Sequence, residues 1–335
     1  MRVGLAGAGR IGAFHASTLA ALGDVEQVVI TDVVPHTASR LAEEKGYESS
    51  PDLEDLLSRV DAVVIATSTS GHAPTLRAAL AAKVSVFCEK PVAASLAETV
   101  ELVELVEAAE VPVQVGFQRR FDVGYRRARQ AVASGELGFI HTVRANTHDQ
   151  SPPPAGYIPT SGGLFRDCSI HDFDALRFVT CQEVATVYAV GANKGAGFFS
   201  EGGDIDTGAA VLTLQDGTLV SVSATRYNGA GHDVRMEVMG SEGTIGVGYD
   251  DSLAVLPAEE GVDYPRGPRK WSFMERFLPA YREELTAFCE VVAGRTENPC
   301  TVSDALEAFR VAEACEISRA EGRPVSMDEI GGSAS

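Results

Sequence analysis

The chain has 335 residues, a hydrophobic fraction of 45% and a formal net charge of −19 at pH 7. Its length exceeds that of one ordinary domain, and its apolar content suffices for packed cores, so we expect two folded domains. The acidic balance argues against nucleic-acid and membrane partners, which require basic surfaces. No apolar run approaches membrane-spanning length, and Arg10 ends the short apolar start before it resembles a signal peptide.

The cysteines form neither a recognisable ligand set nor a disulfide framework. They stand at positions 88, 168, 181, 289, 300 and 315, without a C-x-x-C pair. Reduced thiols in the cytoplasm are the simplest explanation, because disulfides belong to oxidising compartments. We therefore expect a cytoplasmic protein without a metal site.

A glycine-rich turn follows the first predicted strand, Arg2–Ala6, and precedes a helical pattern that extends to Leu22. In the motif G-x-G-x-x-G, the first glycine makes a tight turn and the second lets the backbone approach a pyrophosphate. The third allows close packing of helix on strand. The helix that begins there offers N–H groups and its positive dipole end to phosphates. The cofactor contacts predicted from this motif are Gly7, Ala8, Gly9, Arg10, Ile11 and Gly12.

Asp32 ends the second predicted strand, 20 residues after Gly12. A carboxylate at that position accepts hydrogen bonds from the adenosine ribose diol and repels a 2′-phosphate. No Arg or Ser directly follows it to hold such a phosphate. The sequence therefore favours NAD over NADP as the cofactor.

Strands and helices continue to alternate as far as residue 120, which predicts a parallel sheet. Asp61–Thr67 is an apolar run typical of a strand buried on both faces, and open α/β sheets bind ligands at the loop that follows such a strand. A histidine that opens a helix is more often a cap or packing residue, so His72 is placed only near the cofactor. The loop residues predicted close to NAD are Thr67, Ser68 and His72.

Glu89-Lys90-Pro91 follows the next predicted strand, Val84–Cys88, at the same carboxyl edge of the sheet. Proline favours an extended conformation for Lys90, which aims its amine at the cofactor crevice. A surface Glu–Lys pair is the alternative, but it does not account for the position at the crevice edge. Glu89 and Lys90 are therefore predicted beside the cofactor, together with Gln118 from the segment after the last strand.

After residue 120 the pattern changes to strands joined by hairpin turns. Strands are predicted between Ile140 and Val247, with turns at Asp216-Gly217 and Ser241–Gly243, and two helices close the chain. This pattern predicts an α/β Rossmann domain of residues 1–120. Residues 121–335 are predicted to form an α+β domain with a large open, mainly antiparallel sheet. Because helices cover one face of that sheet, we expect the other face to form a homo-oligomer.

A nearly all-apolar helical pattern covers Leu164–Phe178, which is typical of a buried helix. Asp167, His171 and Asp174 recur on one face of this helix, at i, i+4 and i+7. Burying two carboxylates and an imidazole costs free energy unless they pair or bind a polar ligand. A structural polar network and a catalytic group both account for these residues at this point.

Three motifs occur in one order: the glycine-rich turn, Glu89-Lys90-Pro91, and the Gly162-Gly163 pair that precedes Asp167, His171 and Asp174. Together they resemble the glucose–fructose oxidoreductase/inositol dehydrogenase family, and the resemblance covers essentially the whole chain. The segment 115–122 and Tyr281 are most similar to the inositol dehydrogenase branch. The resemblance implies a Rossmann domain, a sheet domain that builds tetramers, and oxidation of a polyol or sugar hydroxyl to a ketone or lactone.

The same resemblance implies roles for individual residues. Lys90 orients cofactor and substrate, His171 accepts the hydroxyl proton, and Asp167 tunes and orients that histidine. A positioned base contributes about 10²–10⁴-fold to such a proton transfer. The chain departs from the inositol enzymes at His232, where they often have tyrosine, and in its proline-rich segment. The residues assigned to substrate binding are Lys90, Arg119, His148, Asp167, His171, His232 and Tyr281.

Two other functions stay open beside the leading one. An aldose oxidoreductase that retains NADP(H) is disfavoured by Asp32 and by the lack of an export signal. A non-catalytic dinucleotide-dependent sensor would be expected to lose Lys90 and His171, and this chain keeps both. The leading prediction is an NAD-dependent dehydrogenase that oxidises a secondary hydroxyl of a myo-inositol-like cyclitol or sugar to a ketone by hydride transfer.

Overall fold

The computed structural model describes residues 1–331, and the chain divides into two compact units. The first contains Met1–Phe121 and Pro279–Leu306, and the second contains Asp122–Leu278 and Glu307–Gly331. The boundary predicted near residue 120 lies beside the first junction. The sequence predicts that residues 121–335 all belong to the second domain, whereas residues 279–306 pack in the first unit.

A six-stranded parallel sheet forms the centre of the first unit. Its strands are β1 (Arg2–Ala6), β2 (Gln27–Thr31), β3 (Glu48–Ser49), β4 (Ala62–Ile65), β5 (Ser85–Glu89) and β6 (Val113–Gly116). They lie in the order β3-β2-β1-β4-β5-β6, so the chain builds one side of the sheet and then crosses to β4 on the other side. The carboxyl ends of β1 and β4 therefore flank the switch point at which open α/β sheets bind ligands.

Apolar side chains pack on both faces of this sheet. Every residue of β4 is fully buried, as expected for an apolar parallel strand covered by helices. The core includes Leu5, Ile30 and Phe87, and Leu285 and Phe288 complete it, which explains why the segment 279–306 belongs to this unit. The helices that connect the strands are α1 (Arg10–Leu19), α2 (Pro35–Lys45), α3 (Leu53–Leu57), α4 (Thr69–Ala81) and α5 (Leu96–Ala109).

A seven-stranded sheet forms the second unit. Its strands are β7 (Ile140–His148), β8 (Val184–Ala192), β9 (Thr207–Leu214), β10 (Leu219–Thr225), β11 (Asp233–Gly240), β12 (Thr244–Val247) and β13 (Val325–Ser326). The order is β12-β11-β7-β10-β9-β8-β13, in which β7 and β10 pair in parallel and the other neighbours are antiparallel. The predicted hairpins join β9 to β10 and β11 to β12. The predicted fold class is confirmed.

The buried helix predicted in the second unit begins with a different geometry. Gly162 and Gly163 adopt φ values of +82° and +99°, and a π-helical turn covers Phe165–Ser169. Regular helix begins only at Ile170, and π turns inside helices occur frequently at functional sites. The helices of this unit are α6 (Val123–Ala133), α7 (Ile158–Ser161), α8 (Ile170–Thr180) and α9 (Phe198–Glu201).

Two long helices, α10 (Phe273–Val292) and α11 (Val302–Glu321), have residues in both units. The change of unit falls at Pro279 in α10 and after Leu306 in α11. No helix within residues 1–331 combines the length and the apolar content needed to cross a bilayer.

One face of the seven-stranded sheet exposes apolar side chains. Tyr188 of β8 lies opposite Val211 of β9, and the two residues are 42% and 56% exposed. Strand alternation places Val190 and Leu219 on the same face, with exposed fractions of 48% and 55%. The intervening residues, such as Val187 and Leu212, are buried on the other face. This row of exposed apolar side chains is referred to below as the open face.

Candidate functional site

The glycine-rich turn connects β1 to α1 in the first unit. Gly7 has a φ of +101°, and a Cβ there would lie 2.6 Å from the backbone of Ala66. A Cβ on Gly12 would lie 1.9 Å from the carbonyl oxygen of Gly7. The close approach of α1 to the turn therefore requires Gly12, and the close approach of the turn to the segment after β4 requires Gly7.

Gly9 differs because its position is open. A Cβ on Gly9 would meet no atom of the described chain within 4 Å. Gly9 is also the N-cap residue of α1, which begins with Arg10 and Ile11, and it brings no capping side chain to the start of that helix. The backbone can therefore approach a pyrophosphate here, so the turn fits the NAD that the motif implies.

Asp32 directly follows β2 and binds two backbone amides. Its Oδ2 accepts a hydrogen bond from Ala8 N at 2.7 Å, and its Oδ1 accepts one from Val34 N at 2.8 Å. The structure thus joins Asp32 to the glycine-rich turn through Ala8 N. Each carboxylate oxygen keeps a second lone pair for a ribose hydroxyl, so this residue also fits NAD.

His72 links the two loops that were predicted to face the cofactor. Its Nδ1 lies 2.7 Å from the carbonyl oxygen of Pro91, and its Nε2 lies 3.1 Å from that of Thr67. The imidazole is buried, and both of its nitrogens are used on the protein itself. Ser68 is the N-cap residue of α4. His72 therefore supports the loop after β4 and the loop after Lys90.

Glu89 ends β5, and Lys90 follows it at the carboxyl edge of the sheet. His15 of α1, which the sequence did not indicate, lies with Nε2 2.6 Å from Glu89 Oε1. His15 is fully buried and Glu89 is mostly buried. His15 thus holds the carboxylate of Glu89, the residue directly before Lys90, which is predicted to contact cofactor and substrate.

Gln118 and Arg119 lie in a 3₁₀ turn after β6, and both are buried. Gln118 Nε2 donates a hydrogen bond to Tyr281 Oη at 3.2 Å. The ring of Tyr281 packs edge-on against Phe14, and burial raises the pKa of its hydroxyl well above the usual value. The two predicted contacts Gln118 and Tyr281 are therefore brought together inside the first unit.

A buried arginine joins two carboxylates in the second unit. Arg226 Nη1 donates to Asp149 Oδ2 at 3.1 Å, and Nη2 donates to Asp167 Oδ2 at 2.7 Å. Burial opposes the charge of Arg226, but neighbouring Cys168, Asp167 and Asp149 outweigh it and raise the pKa of the guanidinium. The pKa of Asp149 is lowered, because the contacts with His232 and Arg226 outweigh the effect of its burial.

Asp167 lies in the π-helical turn, four residues before His171 in α8. Besides Arg226, the hydroxyl of Tyr157 contacts it, donating to Asp167 Oδ1 at 3.0 Å. Burial and the Asp167 charge raise the pKa of Tyr157, so this hydroxyl stays a donor. Asp167 is thus a fixed carboxylate. Its predicted influence on His171 stays a prediction.

Two histidines lie where β7 ends and β11 begins. His148 Nε2 is 3.0 Å from Ser223 Oγ, and its Nδ1 is 3.7 Å from Asp233 Oδ2. His232 is buried, and its Nδ1 is 3.5 Å from Asp149 Oδ1. Antiparallel pairing of His148 with Asp233 produces this arrangement. The predicted residues His148 and His232 therefore belong to one polar edge that also contains Asp149.

Comparison with known proteins identifies the family. Residues 1–117 match the NAD-binding Rossmann-fold domain of the GFO/IDH/MocA oxidoreductases, and residues 125–246 match the C-terminal domain of that family. The chain belongs to the GFO/IDH/MocA oxidoreductase family. The resemblance seen in the motifs is therefore confirmed, as are the oxidoreductase class and NAD as the cofactor.

Relatives match over almost the entire length of this family member. It is 37% identical to the uncharacterized oxidoreductase YrbE of Bacillus subtilis, over 97% of this chain and 96% of the relative. It is 35% identical to the myo-inositol 2-dehydrogenase of Thermotoga maritima, over 98% and 99% of the two chains. A solved structure of the scyllo-inositol dehydrogenase from Lactobacillus casei, with bound NAD(H) and scyllo-inositol, is 30% identical. The superposition covers 98% of this chain and 99% of the chain of that enzyme, with a TM-score of 0.89.

Gly9→Ala and Gly12→Ala should separate cofactor binding from folding. Gly9→Ala adds a Cβ in open space, so its melting temperature should stay near that of the wild type. NAD affinity should nevertheless fall at least about tenfold, because the Cβ occupies the space that the pyrophosphate needs. Gly12→Ala should lose about 1–3 kcal/mol of stability as well, since helix and strand must separate. Calorimetry and thermal melting measure both effects, and wild-type NAD affinity in Gly9→Ala contradicts the fit.

Asp32→Asn and Asp32→Ser should reduce the preference for NAD over NADP. Asn keeps one oxygen for Ala8 N or Val34 N but removes the charge that repels a 2′-phosphate, so NADP use should rise with little loss of stability. Ser should also weaken NAD binding, because it is too short to replace both acceptors. The measurement is kcat/KM with each cofactor, and equal use of both by the unmodified protein overturns the assignment.

Proposed function

We propose that the protein oxidises a secondary hydroxyl of an inositol-type cyclitol to a ketone, with NAD as the oxidant. The observation that supports this substrate class is the similarity to inositol dehydrogenases over nearly the whole chain. Lys90, Asp167 and His171 stand at the motif positions on which such a reaction depends. The experiment that tests it is a panel of cyclitols and aldoses with NAD, followed at the nicotinamide absorbance. Faster turnover of an aldose than of any inositol contradicts the proposal.

The reaction removes a hydride from the carbinol carbon and a proton from its hydroxyl. Bound NAD supplies the hydride acceptor. His171 accepts the hydroxyl proton, and the ammonium group of Lys90 stabilises the charge that develops on the oxygen. The proton then leaves His171 for solvent, so one alcohol yields one ketone, one NADH and one proton.

Asp167 orients His171 in this proposal. Its carboxylate is held by Arg226 and Tyr157, so it presents a fixed negative charge one turn before the imidazole. A negative charge favours the imidazolium that forms during the reaction. The guanidinium of Arg226 reduces that effect, because it lies on the same carboxylate.

The polar edge of the second unit suits a ring that carries several hydroxyl groups. Each hydroxyl donates one hydrogen bond and accepts others, so carboxylates and imidazoles side by side can serve both functions. His148, His232 and Asp149 provide such a set. Arg119 and Tyr281 stay predicted substrate contacts from the first unit, where the Tyr281 hydroxyl already accepts a hydrogen bond from Gln118.

His171→Ala should remove an ionisation from the pH–rate profile. If His171 accepts the proton, kcat/KM rises with pH and levels off once the imidazole is neutral. His171→Ala should lose at least about tenfold in rate and the ionisation with it. Asp167→Asn should shift the midpoint to lower pH, because the negative charge that favours the imidazolium is removed. It should also lower the plateau, because His171 loses its orienting partner. An unchanged ionisation in His171→Ala places the titrating group elsewhere.

Lys90→Ala should abolish turnover with the fold and most of the NAD affinity intact. The contacts predicted for pyrophosphate and ribose lie in the glycine-rich turn and at Asp32, away from Lys90 in sequence. Thermal melting and NAD titration are the controls for this variant. Wild-type activity in Lys90→Ala removes the lysine from the mechanism.

We also propose a cytoplasmic homotetramer that assembles through the open face. Five of the six cysteines are buried, and all six are free thiols, which suits a reducing compartment. An apolar sheet face of this kind is a typical interface.

Val211→Glu should split the assembly, because it places a charge at the centre of the open face. Val123→Glu is the matched control, since Val123 is 83% exposed at the start of α6 and away from that face. Light scattering should show a tetramer for the unmodified protein and the control, and a smaller species for Val211→Glu. A monomer of the unmodified protein at micromolar concentration contradicts the proposal.

A further inference from the structure

Three titratable side chains meet in the interior of the first unit. They are His15 from α1, Glu89 from the end of β5 and Glu284 from α10. A ring nitrogen of His15 and one carboxyl oxygen from each glutamate all lie within 4.8 Å of one another. His15 and Glu284 are fully buried. The proposed reaction gives no role to His15 or Glu284.

The two carboxyl groups differ in their partners. Glu89 Oε1 lies 2.6 Å from His15 Nε2, a short contact typical of a charged acceptor. Within residues 1–331, neither oxygen of Glu284 has a hydrogen-bond partner. A buried carboxylate without a donor is costly, and a second negative charge beside it adds to that cost. The simplest resolution is a proton on Glu284.

The surroundings of Glu284 agree with a neutral acid. The titratable groups that face it are His15 from α1, Glu89 from β5 and Tyr281 one turn earlier on α10. Gln114 of β6 donates its side-chain amide to the backbone carbonyl of Glu284 at 2.9 Å and not to the carboxyl group. Burial, followed by the charge of Glu89, raises the pKa of Glu284 well above its usual value.

We propose that Glu284 is a positioning residue that carries a proton. With Glu284 neutral, His15 binds the carboxylate of Glu89 without competition. This contact fixes the backbone that presents Lys90. An ionised Glu284 would repel Glu89 and compete with it for the ring of His15. Because Lys90 is the next residue after Glu89, a displaced Glu89 also displaces Lys90. The part of this inference that concerns Lys90 rests on the proposed function.

The first test is the pH dependence of stability. A carboxyl group whose pKa is raised by folding stabilises the folded state below its unfolded value of about 4.3, and that contribution is lost as pH rises towards the folded pKa. Glu284→Gln keeps the shape of the neutral acid and removes the titration. The melting temperature of Glu284→Gln minus that of the wild type should therefore increase by about 3 °C or more between pH 5 and pH 8.

Glu104→Gln is the matched control, because Glu104 is exposed on α5 of the same unit. Its melting difference from the wild type should not change with pH. A difference for Glu284→Gln that is equally independent of pH overturns the proposal. So does a stoichiometric divalent cation in the purified protein that Glu284→Gln loses, because the cation would then neutralise both carboxylates.

The second test is kinetic and uses the cyclitol that the substrate panel selects. Glu284→Gln should keep kcat within about threefold of the wild type, whereas Glu284→Asp, which is shorter and still ionisable, should lower kcat at least about tenfold at pH 8. NAD affinity should change little in either variant. Similar losses of kcat in both variants overturn the positioning role. The melting test needs no substrate, so it stands even if the cyclitol proposal fails.

Discussion

One buried guanidinium allows the second unit to hold its acidic residues together. Arg226 directly follows β10, Asp149 directly follows β7, and parallel pairing places Thr225 beside His148 at the ends of these strands. Arg226 and Asp149, which follow these two strands, therefore form an ion pair, and Asp167 adds a second carboxylate to it. Removing one partner of a buried pair typically costs about 3–5 kcal/mol. The arrangement of His232, Asp149, Asp167 and Tyr157 thus depends on this cation.

Local signals made the first unit predictable. The turn from Gly7 to Gly12 is recognisable from its local motif, and the structure shows the close contacts that exclude side chains at those two positions. Asp32 could be assigned because its distance from the turn is set by one strand–helix–strand unit. Strands that are buried on both faces appear in the sequence as apolar runs. The ends of these runs lie within a few residues of the ends of the observed strands.

Long-range partners could not be predicted in the same way. Arg226 resembles any other arginine at the end of a strand, because only the β7–β10 pairing brings it to Asp149. His15 and Glu284 are 269 residues apart, and nothing in either local pattern indicates that they meet. The apolar face of α10 could pack against either unit. The sequence therefore could not predict that Leu285 and Phe288 enter the core of the first unit. Regular helical periodicity also concealed the π-helical turn before Ile170.

The first unit is discontinuous along the chain, and this affects its biosynthesis. The ribosome delivers residues 1–121 long before Leu285 and Phe288, which complete the same core. Until α10 emerges, the nascent sheet exposes the apolar surface that these side chains cover, and such surface attracts chaperones or other unfinished chains. The second unit, in contrast, has most of its sheet, β7 to β12, in one uninterrupted stretch. The core of the nucleotide-binding half is therefore completed only late in translation, although synthesis of this unit began first.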